Sequence, residues 1–458
     1  MTYDLSKLDF PIIKTKGLTS WRGEPTPRAL ARHMLAPVHV TLQENGLLNS
    51  DMGNCRFCGG SLVEFVDLGM SPLCESYLTK DQLNSMEPFY PLAACVCRDC
   101  LLVQLQEYVA PKEIFSEYAY FSAYSDTWLN HARRYVETMS KRLDLGPASR
   151  VIELGSNDGY LLQFFVEKGI PVLGIDPAGN VASAAEKRGV PTLVKFFGIE
   201  TASALAEGGT QADLVVGNNV LAQVPDLNSF VKGISIILKM GGVCTIEFPH
   251  LLKTIDGNQF DQVYHEHFSY FSGLTADRIF AAHGMRIFDV DELSTHGGSL
   301  RIYACHANDD SHPTDTSVSE LFCRERAAGL HRLETYAGFA NRVRVTKRKL
   351  LSFLIEAKSG NKSLAGYGAP GKGNTLLNYC GIRADFLDYT VDRNPYKHGK
   401  YLPGTHIPIC PPERIFETKP DYVLILPWNL KDEIVSQLDG IRSWGARFVV
   451  PIPEVSVI

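Results

Sequence analysis

The chain has 458 residues, of which 45% are hydrophobic and 21% charged. This composition is typical of a soluble globular protein, with two to four domains at ~100–200 residues each, and excludes a disordered, fibrous or coiled-coil chain. The formal charge is −6 and no apolar run approaches ~20 residues, so we expect neither a nucleic-acid nor a membrane partner. The amino terminus does not read as a secretory signal, and we expect a cytoplasmic protein with reduced cysteines.

Prolines interrupt residues 1–50, where we predict an extension with one short helix, Ala29–Leu35. Residues 51–110 are dense in cysteine and lack long periodic segments. That pattern is typical of a small module held by something other than a large apolar core.

Two C-x-x-C pairs lie in this module, with 38 residues between them. Four thiolates in such pairs favour a structural zinc site, and an inserted loop, Leu62–Ala94, accounts for the long separation. Cys95 and Cys74 are the competing thiols, and free thiols or a redox pair is the alternative. The predicted ligands are Cys55, Cys58, Cys97 and Cys100.

Alternating strands and helices begin at Ser149 and predict a helix-covered parallel sheet, in a domain spanning residues 111–310. Met285–Asp291 and Ser299–His306 have no helix between them and predict a closing hairpin. The other predicted strands are Arg150–Leu154, Pro171–Ile175, Asp213–Gly217 and Gly242–Phe248. The predicted helices are Tyr160–Lys168, Ala178–Arg188 and Leu227–Lys239.

A helical connector, Val318–Ala357, leads into a second βαβ region, and residues 311–458 form the last predicted domain. The whole is a multidomain α/β chain. The predicted strands of this region are Ser363–Tyr367, Asp388–Asp392, Tyr422–Leu426 and Arg447–Ile452.

The turn after the first strand reads acidic-x-Gly-x-Asn-x-Gly and is not the G-x-G-x-x-G of a dinucleotide site. An acidic turn that does not cradle phosphate suits a cationic nucleoside such as S-adenosylmethionine (SAM). Asp176, at the end of the next strand, can accept both hydroxyls of a ribose. A glycine turn that serves only helix packing is the alternative. The predicted cofactor residues here are Glu153, Gly155, Asn157, Asp158, Gly159 and Asp176.

The segment from Tyr264 to Phe271 packs two imidazoles, a carboxylate and four aromatic rings into eight residues. A histidine beside a carboxylate can act as a general base, and Tyr264 can hydrogen-bond a carbonyl. A metal-binding His pair and an aromatic core strip are the alternatives. Side chains alternate along an extended segment, so this one must bend if Tyr264, Glu266 and His267 serve one site. Local sequence does not choose between His265 and His267.

The turn Gly366–Thr375 satisfies G-x-G-x-x-G, with Asp392 lying 21 residues beyond Gly371. It nearly satisfies the P-loop pattern, but Gly373 replaces the magnesium-binding hydroxyl, so phosphoryl transfer is not expected. Both patterns leave a turn whose backbone N–H groups can hold the diphosphate of a dinucleotide or of a nucleotide sugar. A structural glycine turn is the alternative.

Taken together, these motifs resemble those of the SAM-dependent sugar C-methyltransferases acting on nucleotide-linked 4-keto deoxysugars. The resemblance covers residues 51–458 and implies a zinc module, a class I SAM methyltransferase domain and a C-terminal domain that holds the sugar nucleotide. A monomer or small homo-oligomer is expected. The resemblance is carried by the two C-x-x-C pairs, Tyr118–Ser125, Glu153–Gly159, Tyr264–Phe268, Gly366–Asn374 and Pro427–Asn429.

The resemblance also implies roles for single residues. His267 ends the family's Y-x-E-H motif and is implied as the base that removes the sugar C3 proton, with Tyr264 and Glu266 beside it. The enolate then takes the methyl group of SAM. Tyr120 or Tyr124 is implied to reach the sugar. The remaining implied residues are Asn219 for the cofactor and Gly368, Gly371, Lys372, Asn374, Asp392, Trp428 and Asn429 for the sugar nucleotide.

One position departs from the family pattern. Gln223 stands where the family often has histidine, and an amide cannot transfer a proton. Two rival functions follow from these residues. One is an NAD-dependent oxidoreductase using the Gly366–Gly371 turn, which leaves the first turn and the cysteine module without a purpose. The other is a non-catalytic, zinc-bearing sugar-nucleotide binding protein.

Overall fold

The computed structural model describes residues 53–116, 121–124 and 126–458. The predicted extension 1–50, with its helix Ala29–Leu35, lies outside the described residues. Within the described ranges, none of the helices combines the length and apolar character needed to cross a membrane.

The secondary structure alternates through most of the described chain. The strands are β1 (Leu62–Ser71), β2 (Tyr90–Cys97), β3 (Val103–Leu105), β4 (Val151–Leu154), β5 (Val172–Asp176), β6 (Thr192–Val194), β7 (Ala212–Asn218), β8 (Leu238–Pro249), β9 (Ser269–Tyr270), β10 (Met285–Leu293), β11 (Ser299–His306), β12 (Leu364–Tyr367), β13 (Thr390–Val391), β14 (Ile409–Cys410), β15 (Tyr422–Ile425), β16 (Arg447–Val450) and β17 (Ser456–Val457). The helices are α1 (Pro111–Phe115), α2 (Asp126–Arg142), α3 (Leu162–Glu167), α4 (Gly179–Lys187), α5 (Ile199–Glu207), α6 (Leu227–Ile237), α7 (Leu251–Asp256), α8 (Gly273–Ala282), α9 (Thr316–Ala327), α10 (Glu334–Ala337), α11 (Phe339–Ser359), α12 (Gly371–Cys380), α13 (Arg414–Thr418) and α14 (Lys431–Gln437).

The central sheet has seven strands in the order β10-β11-β8-β7-β4-β5-β6. β11 runs antiparallel to both of its neighbours, and the other pairs are parallel. All four residues of β4 are buried, as expected for a strand covered on both faces. This order confirms the predicted parallel sheet with a closing hairpin. β6 and α5 were not predicted, since β6 is a three-residue edge strand without buried side chains.

The C-terminal sheet has six strands in the order β14-β13-β12-β15-β16-β17, with only β17 antiparallel. Its four predicted strands are present, although Asp388–Asp392 contributes only Thr390–Val391. The two-residue strands β14 and β17 are too short to give a sequence signal. The predicted helical connector is helical over most of its length, but it is divided into α9, α10 and α11, and Gly329, at φ +85°, lies between the first two.

The cysteine module forms a four-stranded antiparallel sheet in the order β1-β2-β3-β9. The expectation that Leu62–Ala94 is a loop is wrong, since β1 and β2 form a hairpin there. The module also shares a large apolar core: Phe65 stacks on Phe339 of α11 with ring centroids 4.6 Å apart, inside a buried cluster that includes Leu350. Its fourth strand, β9, directly follows the Tyr264–Phe268 segment, which therefore lies where the module meets the central sheet.

Candidate active site

A cavity of about 1320 Å³ lies at the carboxyl edge of the central sheet. Cys74 and Glu75 reach it from the loop between β1 and β2, Asp176 from the end of β5, and Lys372 from α12. All three predicted domains thus line one cavity, at the edge where open α/β sheets bind ligands.

Asp176 ties together the two loops that begin the cavity. Its Oδ2 accepts a hydrogen bond from the Asn157 N–H at 2.9 Å, and its Oδ1 accepts one from the Ala178 N–H at 2.9 Å. Burial raises the pKa of Asp176, and these two hydrogen bonds oppose that shift. Gly155 adopts φ +67°, and a Cβ there would lie 2.9 Å from Val220 Cγ2, so only glycine fits this turn.

Three of the predicted cofactor residues lie behind the cavity wall. Glu153 is fully buried, which raises its pKa well above the usual range, against an opposing hydrogen bond from Tyr160. Asp158 pairs with Arg188 at 3.1 Å. A Cβ on Gly159 would lie 3.2 Å from the Cα of Ala185, so this glycine allows α4 to pack closely. Their contacts are structural, and their cofactor roles stay predictions.

Two consecutive asparagines follow β7 at the cavity. Asn219, a predicted cofactor residue, adopts φ +57° and donates its N–H to the Glu247 carbonyl at 2.8 Å. Sequence reasoning missed Asn218, which lines the cavity and whose side-chain nitrogen and oxygen are buried without a partner in the described part of the chain. The signal was available, because a polar pair ending an apolar strand is unusual. Gln223 also lines the cavity.

The Tyr264–His267 segment is a tight turn, in which the His267 N–H donates to the Tyr264 carbonyl at 2.9 Å. This bend brings Tyr264, Glu266 and His267 to one cavity wall. The His267 Nδ1–H donates to the Gln262 carbonyl at 3.2 Å, so Nε2 carries the lone pair and accepts from the Tyr264 hydroxyl at 2.8 Å. Burial lowers the pKa of His267 to about 3, which keeps the imidazole neutral.

The two inner residues of this turn, His265 and Glu266, contact different neighbours. His265 Nε2 donates to the Pro91 carbonyl at 3.1 Å, against β2 of the cysteine module, and does not line the cavity. Glu266 Oε1 accepts from the Cys74 thiol at 3.4 Å. The structure thus separates the histidines that the sequence left equivalent.

In the second glycine turn, Gly366–Thr375, backbone N–H groups donate hydrogen bonds within the protein. Gly368, at φ +91°, donates its N–H to Val391, and Asp392 Oδ2 accepts from the Ala369 N–H at 2.7 Å. A Cβ on Gly371 would lie 2.9 Å from Cys74 Sγ and 3.9 Å from a Glu75 oxygen. The acidic side chain of Glu75 therefore faces the start of α12.

Lys372 projects from this turn as a half-buried basic side chain. Its Nζ donates to Asn429 Oδ1 at 2.8 Å and lies 5.0 Å from the centre of the Trp428 ring, whose Nε1–H donates to Asp261 at 2.7 Å. Burial lowers the pKa of Lys372, and Asp261 opposes that shift. Lys372 and Asn429 line the cavity, whereas Trp428 lies beneath them.

Three predicted substrate residues remain. Asn374 is buried inside α12, where its Oδ1 accepts from Asn378 at 3.1 Å. Tyr120 lies outside the described residues, as does the side chain of Tyr124. The backbone before α2 still approaches the cavity, since the Ser122 N–H donates to Asn157 Oδ1 at 3.0 Å.

The four predicted metal-ligand thiols form one cluster. All their sulfurs lie within 4.8 Å of one another, with Cys55 and Cys100 at 3.5 Å and Cys58 and Cys97 at 3.5 Å. Four thiolates at these separations fit a tetrahedral metal with metal–sulfur bonds of about 2.3 Å. Cys74 and Cys95 are not part of the cluster.

The cluster is next to the strand that follows His267. Arg56, between two ligands, donates to the Pro225 carbonyl at 3.3 Å and lies 5.3 Å above the Phe268 ring. The Leu105 N–H donates to the Phe268 carbonyl at 3.0 Å, extending the pairing of β3 with β9. The cysteine module thus holds in place the part of the chain that directly follows the Tyr264–His267 turn.

The sheet order, the single antiparallel strand and the cavity at the carboxyl edge define a class I methyltransferase fold. Three family models match along the chain: "Putative zinc binding domain" over residues 55–115, "Methyltransferase domain" over 127–290 and "C-methyltransferase C-terminal domain" over 294–453. The C-methyltransferase NovU of Streptomyces niveus is 36% identical over 408 residues, which cover 88% of this chain and 96% of NovU. The chain belongs to this C-methyltransferase family and is a SAM-dependent methyltransferase.

Several other proteins are similar over part of the chain. The ubiquinone biosynthesis O-methyltransferase of Chelativorans is 27% identical over 95 residues, covering 20% of this chain and 38% of that protein. Among solved structures, a SAM-dependent methyltransferase from Clostridium acetobutylicum covers 39% of this chain and 92% of its own, at 13% identity and a TM-score of 0.33. Magnesium protoporphyrin IX methyltransferase from Synechocystis, with bound SAM, covers 39% and 81%, at 16% identity and a TM-score of 0.29.

Proposed function

We propose that this protein transfers a methyl group from SAM to C3 of a nucleotide-linked 4-keto-6-deoxysugar. The observation that carries the proposal is the His267 imidazole: it is neutral, its lone pair is on Nε2, and it lies in a cavity that also contains the Asp176 loops and Lys372. A neutral imidazole is a base, and the large cavity has room for two ligands. An enzyme that must bring a carbon acid and a methyl donor together needs both features.

The cofactor half of the cavity fits the chemistry of SAM. We assign the ribose to Asp176, whose oxygens are set by two backbone N–H groups, and the adjacent polar contacts to Asn157, Asn218 and Asn219. SAM supplies the methyl group when bound. Lys372, Arg393 and Lys397 line the other part of the cavity and supply the positive charge that a nucleoside diphosphate requires.

The chemistry follows from the ketone. A C–H bond beside a carbonyl is acidic enough for a positioned base, and we assign its removal to His267 Nε2. The Tyr264 hydroxyl occupies Nε2 in this structure, so the bound sugar has to take its place before proton transfer. The C–H electron pair becomes the C3–C4 double bond of an enolate, whose C3 then accepts the methyl group.

We assign zinc to the four-thiolate cluster. Zinc favours four thiolates in tetrahedral geometry, and such a closed site has no position for a substrate. Its role is structural: Arg56 and the β3–β9 pairing transmit the order of the cluster to the chain beside His267.

A mass-spectrometric screen tests the proposed function. Purified protein is incubated with SAM and a panel of 4-keto-6-deoxysugar nucleotides carrying dTDP, GDP or CDP. A sugar nucleotide that gains one methylene supports the proposal. The rival binding-protein function predicts binding by calorimetry without mass gain, and an oxidoreductase predicts turnover that depends on NAD and not on SAM.

Asp176→Asn should weaken SAM binding, because the amide loses the charge and can accept only one of the two backbone hydrogen bonds that Asp176 accepts. Hydrogen bonds to charged groups contribute about 1.5–3 kcal/mol, or roughly 10–100-fold in affinity. Asp213→Asn is the matched control, because Asp213 also accepts a backbone hydrogen bond, from Arg150 at 2.7 Å, but lies at the opposite end of the sheet. Calorimetric SAM titration of both variants is the measurement. Equal SAM affinities in the two variants would show that Asp176 does not contact the ribose.

The His267 imidazole should remain uncharged over the working pH range. Because burial lowers its pKa to about 3, its ring resonances should not change between about pH 5 and pH 8, where an ordinary histidine with a pKa of ~6.5 titrates. NMR of the histidine side chains, with His267→Asn to assign the resonance, provides the measurement. A titration midpoint near 6.5 would contradict the burial of this ring.

A further inference from the structure

The turn between β10 and β11 brings a second histidine to the cavity. His296 adopts φ +54°, which is uncommon for a residue other than glycine, and lines the cavity. Backbone in such a conformation persists only where its surroundings hold it. Trp428 packs closely against the same turn, since a Cβ on neighbouring Gly297 would lie 2.5 Å from the Trp428 ring. No motif in the sequence pointed to this residue.

The hydrogen bonds of the His296 ring assign its proton. The Asn219 side chain donates its Nδ2–H to His296 Nε2 at 3.4 Å, so the ring carries its proton on Nδ1. The Nδ1–H has no hydrogen-bond partner among the residues that the structure describes. Trp128 contacts the ring edge-on with centroids 5.5 Å apart and limits its rotation.

Gln262 fixes His296 relative to His267. Its side-chain Nε2–H donates to the His296 carbonyl at 2.9 Å, while its own carbonyl accepts the His267 Nδ1–H. Gln262 thereby positions two imidazoles. His267 accepts at Nε2, and His296 donates at Nδ1. Burial, reinforced by Lys372, lowers the pKa of His296 to about 4, so this ring too is neutral and keeps a single N–H.

We propose that His296 is a catalytic residue of the methyl transfer, donating its Nδ1–H to O4 of the sugar as the C3 proton leaves. The inference rests on the proposed function. The Tyr264 hydroxyl donates to His267 Nε2 in this structure and has to leave that nitrogen before it can donate elsewhere, whereas His296 donates from Nδ1 without such a rearrangement. The C3 proton goes to His267 Nε2, the C–H pair forms the C3–C4 double bond, and the carbonyl π pair moves to O4. His296 keeps its own proton and stabilises the oxyanion, as a preorganised neutral donor does.

His296→Asn tests this assignment, because asparagine tolerates positive φ but is too short to replace the ring. The readout is exchange of the C3 hydrogen with solvent deuterium, measured on the 4-keto sugar nucleotide without SAM. Loss of one oxyanion donor typically costs about 10²–10³-fold in rate, and we expect that reduction in exchange and in kcat. SAM affinity and Tm should match those of the control variant His331→Asn, which changes an exposed surface histidine.

A second variant guards against a folding defect. His296→Gly also accommodates the positive φ and leaves space for an imidazole, so added imidazole should restore part of the exchange. Exchange at the wild-type rate in His296→Asn, or a lost rate that imidazole does not restore, would overturn the inference. If the wild-type protein neither exchanges C3 deuterium nor methylates any 4-keto sugar nucleotide, the proposed function fails and this inference fails with it.

Discussion

His267→Asn should leave both ligands bound and reduce turnover by about 10²–10⁴-fold or more, the contribution of a general base. Asparagine keeps a polar side chain, but it is shorter than histidine and its amide is too weak a base to take a proton from carbon. In the structure, the Nε2 lone pair of His267 is set by the hydrogen bond from Nδ1 to Gln262. Deuterium exchange at C3 without SAM reports proton removal apart from methyl transfer and is the measurement.

Two variants serve as controls for His267. His265→Asn should retain exchange, because His265 bonds to Pro91 of the cysteine module and does not line the cavity. Tyr264→Phe should cost less than His267→Asn, since it removes only the hydroxyl that occupies Nε2. Loss of exchange in His265→Asn with retention in His267→Asn would show that the base is misassigned. Equal losses of exchange in Tyr264→Phe and His267→Asn would indicate that the tyrosine oxygen accepts the proton.

Cys97→Ser should release the metal and destabilise the protein by more than ~4 kcal/mol, the range in which loss of a metal site falls. The physical reason is that the four thiolates hold β3, which pairs with β9 directly after the Tyr264–Phe268 segment. C-methylation should therefore fall with the metal content. Elemental analysis should give close to one zinc per chain for the wild type and a substoichiometric value for the variant.

Cys74→Ser is the matched thiol control for the metal site. Cys74 lies in the same module but contacts Glu266 at 3.4 Å and is outside the four-sulfur cluster. Its replacement should leave one zinc per chain. Full zinc in Cys97→Ser together with loss in Cys74→Ser would show that the ligand set is wrong.

Strong periodicity and turn chemistry made the central sheet predictable. Val151–Leu154 is apolar except for Glu153 and ends in a glycine turn, and both signals are local. The connector and the module were predicted less well for different physical reasons. A glycine at φ +85° divided an otherwise helical pattern, and β1 and β2 are buried by α11, which lies more than two hundred residues away in the sequence.

The active site shows the same division between local and long-range information. The bend of the Tyr264–His267 segment was required by the chemistry, but the choice between His265 and His267 depends on Pro91 and Gln262, which are brought there by tertiary structure. Glu75 and His296 gave no signal because neither belongs to a motif. They reach the cavity through a hairpin loop of the module and a strained turn before β11.

The most direct test of the proposed C3 methylation is the position of the new carbon in the product. The protein is incubated with methyl-labelled SAM and the 4-keto-6-deoxysugar nucleotide that gains a methylene, and the product is analysed by NMR. We predict that the labelled methyl carbon is bonded to C3 of the sugar and that the C3 hydrogen is gone. A label on oxygen or nitrogen, or on another sugar carbon, would contradict the proposed C3 methylation.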